Sequence, residues 1–107
     1  QNANLEYLLF GHLGDCHLHF HLIPKKSQQK IALQVYDEII EKSAELGGIY
    51  SAEHGTGKRK CIDFIKCYGM KALKNVMETK KAFDPKILLN RGNVIEYKYF
   101  KKHCINE

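Results

Sequence analysis

The chain has 107 residues, a net charge of +5, and ordinary fractions of apolar (44%) and charged (27%) residues. This length and composition predict one globular domain, or part of one, with a modest hydrophobic core. No apolar run approaches the ~20 residues that a membrane-spanning helix needs.

The cysteines argue against a disulfide-stabilised secreted protein, and the charges argue against a nucleic-acid-binding protein. The four cysteines form no Cys-x-x-Cys pair, so reduced thiols in a cytosolic protein are expected. From His54 onward there are 13 Lys/Arg against 5 Asp/Glu, whereas before it there are 4 against 7. These lysines are scattered along helical patterns without aromatic stacking residues, so we predict no nucleic-acid partner.

The stretch from Gly11 to His21 contains four of the six histidines, with apolar residues on both sides. Such flanks predict two β-strands, 5–10 and 17–22, with a turn at Gly14-Asp15. Alternate side chains of a strand share a face. Three histidines of the second strand should therefore lie together, and its three apolar residues should face a core: His17, His19 and His21 on one side, Leu18, Phe20 and Leu22 on the other.

The histidines of this hairpin form a candidate metal site. His12 ends the first strand, and a hairpin return would bring it alongside His19, near the Asp15 carboxylate. Packed imidazolium groups repel one another, so a shared face favours neutral rings, which are the commonest metal ligands. Imidazole with carboxylate suits zinc, manganese or iron better than calcium or magnesium. Spacing alone leaves the alternative open, namely that these histidines are purely structural.

The rest of the chain is predicted to be mainly helical. Apolar residues at three- and four-residue spacing predict a helix over 27–46, with Ser27 as N-cap and Gly47-Gly48 as its end. Helices 58–68 and 70–83 should be separated by Gly69, and Asp84-Pro85 should stop the second. Segment 87–92 should pack on other elements. Segment 97–107 should form a short helix, a strand or an irregular tail. The side chains expected to point inward from the two later helices are Cys61, Ile62, Ile65, Tyr68, Met70, Leu73, Val76, Met77 and Phe83.

Glu53 and His54 form a second reactive element, followed by a glycine-bearing loop. Adjacent side chains usually point apart, so Glu53 could complete a metal set with His12 and His19 while His54 acts as an acid or base. The alternative is an ion-paired surface loop.

Together these motifs resemble the C-terminal region of the FAD-linked oxidases of the vanillyl-alcohol oxidase type. Four motifs carry the resemblance over about residues 8–95: Gly11-His12-x-Gly14-Asp15-x-x-x-His19, Ser51-x-Glu53-His54-Gly55-x-Gly57, Lys81-x-x-Asp84-Pro85 and Asn90-x-Gly92. The most similar branch holds cytochrome-linked D-lactate dehydrogenase, the FAD subunit of glycolate oxidase and D-2-hydroxyglutarate dehydrogenase.

The resemblance implies the fold and the chemistry. We expect an α+β fold, a fragment of a ferredoxin-like cap domain in which helices pack on one face of an antiparallel sheet. The reaction would be FAD-dependent oxidation of a 2-hydroxy acid, with hydride transfer to the flavin. His12, His19 and Glu53 would be ligands of a divalent metal, zinc or manganese. His54 would be the catalytic base, and Asn90 would reach toward the flavin.

Five positions depart from the family pattern. The usual Gly-Asp-Gly-Asn is Gly14-Asp15-Cys16-His17 here. His21 stands where asparagine is common, as either an extra ligand or a polar neighbour. The usual Asn-Pro-Gly-Lys tail is Asn90-Arg91-Gly92-Asn93. These changes spare the implied metal ligands and leave the flavin contacts and the substrate open.

We interpret residues 1–107 as the C-terminal part of such an enzyme, with the FAD-binding domain absent from this chain. The expected partners are that domain, a small 2-hydroxy acid, an electron acceptor and a second copy of the chain. We expect a cytoplasmic protein, or one held at the membrane surface by its electron acceptor. Alone, the chain should bind metal at best and not turn over substrate. The rival interpretation is a non-enzymatic metal-binding or assembly module derived from the same family.

Overall fold

The structure, a computed structural model, describes residues 4–103, without the side chains of residues 102 and 103. Its elements are β1 (Glu6–His12), β2 (His17–Ile23), α1 (Gln29–Glu45), α2 (Cys61–Phe83) and α3 (Tyr97–His103). The predicted α+β class is confirmed by the antiparallel sheet and the helices, whereas the ferredoxin-like topology stays a prediction. The chain divides into two compact units, residues 1–42 and 43–107.

The two strands of the first unit form an antiparallel hairpin, with Glu6 opposite Ile23 and His12 opposite His17. Both strands continue beyond the predicted ranges, so that the ladder reaches His12. A 3-10 turn over Leu13–Asp15 joins them. The amide of Cys16 donates a hydrogen bond to the carbonyl of Leu13 (3.2 Å), and Cys16 is left-handed at φ 51°.

The apolar face of the hairpin is open to solvent, so the prediction that it faces a core was wrong. Leu18 is 64% exposed and Phe20 is 41% exposed, whereas Leu22 is half-buried. A two-stranded sheet is small, and its face is buried only where another layer covers it. An open groove of about 520 Å³ runs between β2 and α1, with Leu22 and Ala32 in its walls.

The first helix, α1, follows a 3-10 turn at Lys26–Gln28 and ends as predicted. Ser27 lies inside that turn and is therefore not the N-cap. At the other end, the amides of Gly47 and Gly48 donate hydrogen bonds to Ala44 (3.0 Å) and Ser43 (2.8 Å). Gly47 has φ 76°, which is the left-handed conformation that ends many helices.

The long helix α2 is interrupted at Gly69, as predicted. This residue has φ 77° and ψ 175°, a backbone conformation that residues other than glycine rarely adopt. Among the predicted inward residues, Cys61, Leu73 and Met77 are buried. Four others are exposed because the elements packed on α2 cover only part of its surface: Ile62 (59%), Tyr68 (46%), Met70 (56%) and Phe83 (88%).

The core of the second unit joins α2, the segment after it and α3. Leu73 and Met77 of α2 pack with Ile87, Ile95 and Phe100, all at most 5% exposed. The prediction that segment 87–92 packs on other elements is thus confirmed at Ile87. Of the alternatives predicted for 97–107, the structure has a helix over Tyr97–His103. Residues 104–107 lie outside the described part.

Asp84 anchors the segment that leaves α2. Its carboxylate accepts hydrogen bonds from Lys80 Nζ (2.8 Å) and from the backbone amides of Leu88 (3.0 Å) and Leu89 (2.9 Å). These bonds lower the pKa of Asp84 from 3.8 to about 2, and the hydrogen bond from Lys80 contributes most to this shift. The Asp-Pro motif therefore does more than stop the helix, because it also turns the chain back toward the core.

We expect Asp84→Asn to lower the midpoint of thermal unfolding by several degrees at neutral pH, because the amide cannot satisfy all three donors. A lowered folded-state pKa stabilises the fold above pH 4 or so, and this stabilisation is lost as the pH falls through about 2. The difference between the wild type and the variant, measured by circular dichroism, should therefore vanish in that range.

The matched control is Glu78→Gln, which removes an exposed carboxylate at the same spacing, 4.0 Å from Lys74. This change should have little effect at any pH. Equal effects of the two variants would contradict an anchoring role for Asp84.

Candidate metal and catalytic site

The register of the hairpin places four imidazoles on one face. Opposite residues of an antiparallel pair share a face, so His12 lies with His17, and Phe10 lies with His19. His21 follows on the same face of β2, as predicted. The predicted proximity of His12 and His19 is observed, at 5.7 Å between ring centroids, while the ladder places His12 directly opposite His17.

Three of these residues, His12, His17 and His19, form a contact group that we call the imidazole trio. One ring nitrogen from each lies within 4.8 Å of the others. The ring centroids are 4.6 Å apart for His17 and His19, 5.4 Å for His12 and His17, and 5.7 Å for His12 and His19. His17 and His19 are half-buried and His12 is exposed. Three converging imidazoles are a suitable donor set for a divalent transition metal.

Phe10 supports the trio on the side away from the turn. Its ring stacks against His19 at 5.0 Å and against His21 at 5.4 Å. This contact restrains the orientation of the His19 ring and leaves His21 outside the trio. Asp15, the carboxylate predicted to lie nearby, is exposed in the turn and is also outside the trio.

Gly11 allows the close approach of the strands beside the trio. A β-carbon at this position would collide with the carbonyl oxygen of His17 and would lie 2.9 Å from the Leu18 Cα. Only glycine fits where two backbones come so close. The glycine of the Gly11-His12 motif is therefore required by the packing that pairs His12 with His17.

Glu53 and His54 lie at the tip of a closed loop in the second unit. The loop is held by a hydrogen bond between the hydroxyls of Tyr50 and Thr56, and by one from Ser51 Oγ to the Gly55 carbonyl (3.0 Å). His54 Nε2 lies 3.6 Å from Glu53 Oε1, with side chains 73% and 49% exposed. The two side chains therefore contact one another rather than pointing apart.

This loop is tied to the segment that contains Asn90. The carbonyl of Gly57 accepts a hydrogen bond from the Val94 amide (2.8 Å), and Cys61 Sγ donates to the carbonyl of Gly92 (3.4 Å). Asn90 is exposed, has φ 45°, and lines an open groove of about 300 Å³ with Gly92 and Val94. Two motifs far apart in sequence thus share one region of the second unit.

The thiols of the second unit are poor candidates for chemistry. Burial raises the pKa of the Cys61 thiol and of the Cys67 thiol, which favours the protonated form. Neither residue is grouped with other ligand atoms among residues 4–103. The site residues that remain are the imidazole trio, the Glu53–His54 pair and Asn90.

The chain belongs to the family of FAD linked oxidases, C-terminal domain, whose model matches residues 1–94. It is 38% identical over 91 residues to glycolate oxidase subunit GlcD of Bacillus subtilis, a match that covers 79% of this chain and 19% of that protein. It is 29% identical over 95 residues to a D-lactate dehydrogenase of Archaeoglobus fulgidus, covering 89% and 21%. The suspected family and branch are thereby confirmed.

A third relative is a probable mitochondrial D-2-hydroxyglutarate dehydrogenase of Oryza sativa, 31% identical over 90 residues, with 84% of this chain and 16% of that protein covered. The chain thus spans about a fifth of the length of the curated relatives it matches. In the described part of the chain, no helix is long and apolar enough to cross a membrane.

Proposed function

We propose that the chain is the C-terminal segment of an FAD-dependent 2-hydroxyacid dehydrogenase or oxidase, acting on D-lactate, glycolate or a related substrate. The family supports an FAD-linked oxidase, and the names of the relatives support this substrate class. The observation that carries the proposal is the contact between His12 and His19, at 5.7 Å between ring centroids on the hairpin. Both residues belong to the motif that the family resemblance assigns to metal binding.

In the proposed site, His12, His19 and Glu53 are ligands of a divalent cation, zinc or manganese. Imidazole nitrogens with one carboxylate fit both ions. A cation held by these residues would supply Lewis acidity toward the substrate hydroxyl, and a bound flavin would supply the hydride acceptor. Glu53 belongs to the second unit, and its side chain is 49% exposed.

His54 is proposed to take the hydroxyl proton of the substrate on a ring nitrogen. The substrate would then lose one proton to His54 and one hydride to the flavin, which leaves a 2-oxo acid. The exposure of His54 allows contact with substrate, and the loop that carries it is closed by hydrogen bonds on both sides.

The flavin side of the site is proposed to lie with a separate FAD-binding domain, with Asn90 contributing a polar contact. An electron acceptor would reoxidise the flavin, and a second copy of the chain would form a homo-oligomer. We place the protein in the cytoplasm, or at the membrane surface through that acceptor.

We expect His54→Gln, in a protein that contains this chain and its flavin domain, to lower kcat for D-lactate or glycolate by roughly 100- to 10,000-fold, because a general base is lost. Metal and flavin contents should remain those of the wild type, since glutamine replaces no proposed ligand. Stopped-flow absorbance of flavin reduction measures the affected step directly. A wild-type rate of flavin reduction would contradict the role of His54.

The rival function, a non-enzymatic metal-binding or assembly module, is favoured by one observation. The segment Asn90-Arg91-Gly92-Asn93 departs from the family pattern, and Asn90 is exposed. Visible absorbance of the purified protein distinguishes the two functions. A flavin spectrum that bleaches anaerobically with a 2-hydroxy acid supports the enzyme, and a colourless protein that retains metal supports the module.

A further inference from the structure

We propose that His17 is a metal ligand, so that the hairpin alone binds one zinc ion through His12, His17 and His19. The inference rests on the proposed function, because it shares His12 and His19 with the metal set given there. It concerns the chain by itself, without the flavin domain or a substrate, where the third ligand would come from the hairpin. In the whole enzyme, Glu53 keeps the ligand role given in the proposed function. The strand alternation places His17 on the face of the candidate metal site, whereas the family resemblance assigns the metal to His12, His19 and Glu53.

The positions of the three residues suit a facial set of ligands. His17 and His19 alternate along one strand, and His12 is directly opposite His17 on the other strand. The donors therefore form a triangle, with two corners on β2 and one on β1. Ligands two residues apart on a strand point to the same side, and a cross-strand partner lies within reach of both.

The distances between the ring nitrogens can be compared with those of a zinc-bound state. Zinc–nitrogen bonds of about 2.0–2.1 Å in a tetrahedron place the ligating nitrogens roughly 3.3 Å apart. In the trio, one nitrogen from each ring is already within 4.8 Å of the other two. Zinc binding would therefore bring the ring nitrogens closer together by up to about 1.5 Å.

The surroundings support the same geometry. Gly11 allows the two strands to come close beside the His12–His17 pair, because a β-carbon at position 11 would collide with the His17 carbonyl. Phe10 stacks on His19 at 5.0 Å and restrains its ring. Partial burial of His17 and His19 lowers the entropy lost when a cation orders them. Three protein ligands leave a fourth tetrahedral position for water or for a substrate oxygen.

Zinc affinity of the purified chain, measured by competition with a chromophoric chelator, tests the proposal. His17→Asn restores the residue that the family commonly has here, removes an imidazole, and should weaken zinc binding about 100-fold. The matched control is His21→Asn, on the same strand face but stacked on Phe10 outside the trio, which should leave the affinity within about twofold. Circular dichroism of each variant checks that the fold is kept.

Glu53→Gln separates this proposal from the ligand set of the proposed function. Unchanged affinity in Glu53→Gln with a large loss in His17→Asn supports the hairpin site. The reverse pattern overturns it and supports Glu53 as the third ligand. A large loss in both variants overturns the claim that the hairpin suffices.

A measurement on the unchanged chain makes the test independent of folding defects. Zinc should shift the imidazole nitrogen NMR signals of His12, His17 and His19 while leaving those of His21 in place. If the His17 signals do not move, or if the chain binds no zinc, the proposal is wrong. In either case, the flavin-reduction rates of the His54→Gln experiment still judge the proposed function separately.

Discussion

Replacing His19 with alanine is expected to abolish metal binding while leaving the fold intact. His19 is shared by both proposed ligand sets, and its ring contacts His17 at 4.6 Å and His12 at 5.7 Å. Loss of this ligand should reduce zinc affinity by roughly 100-fold or more. The hairpin is mostly exposed, so the free energy of unfolding should change by no more than about 1 kcal/mol. Elemental analysis before and after chelator treatment measures the bound metal.

His21→Ala is the control for this prediction, because it removes a second imidazole from the same face and the same Phe10 ring. It should leave near-stoichiometric zinc or manganese bound. If His19→Ala instead unfolds the protein, and the wild type never contained metal, the histidines have a structural role and the proposed site is wrong.

Replacing Gly11 with alanine is expected to damage both the hairpin and the metal site. The added β-carbon would collide with the His17 carbonyl and crowd the Leu18 Cα at 2.9 Å, and both contacts involve backbone that cannot rotate away. The strands must separate locally, at a cost of roughly 1–3 kcal/mol. Because His12 and His17 are paired at this point, zinc affinity should fall about as far as in His19→Ala. Hydrogen exchange of the β1 and β2 amides should show the local opening.

Gly14→Ala is the matched control, because nothing lies within 4 Å of a β-carbon built at that glycine. It should leave both hydrogen exchange and zinc affinity near wild type. Protected hairpin amides in Gly11→Ala would contradict the steric argument, whatever the metal content.

The hairpin and the helix ends were accessible from sequence because their causes are local. Alternation placed His17, His19 and His21 on one face, and the conformational freedom of glycine marked the breaks at Gly47 and Gly69. His12 comes alongside His19 as predicted, while its direct opposition to His17 follows from β1 continuing to His12, two residues beyond the predicted end of the strand.

Burial was harder to predict because it depends on which elements meet. The pattern of Leu18 and Phe20 correctly indicates an apolar face, yet no pattern within a strand shows whether a layer covers it. The anchoring role of Asp84 also escaped sequence analysis, since its backbone partners follow it along the chain in a segment without periodicity. Likewise, the contact between Glu53 and His54 depends on how their loop closes.

The left-handed Cys16 at the hairpin turn offers a chemical handle on this site. Cys16 is exposed, whereas Cys61 is buried, Cys67 is half-buried, and burial raises the pKa of both of those thiols; Cys104 lies outside the described residues. In a chain with Cys104 replaced by serine, a maleimide fluorophore should therefore label Cys16 first. The label would lie next to His17 in the sequence, so quenching by a paramagnetic ion such as cobalt would report occupancy of the hairpin without any enzymatic assay.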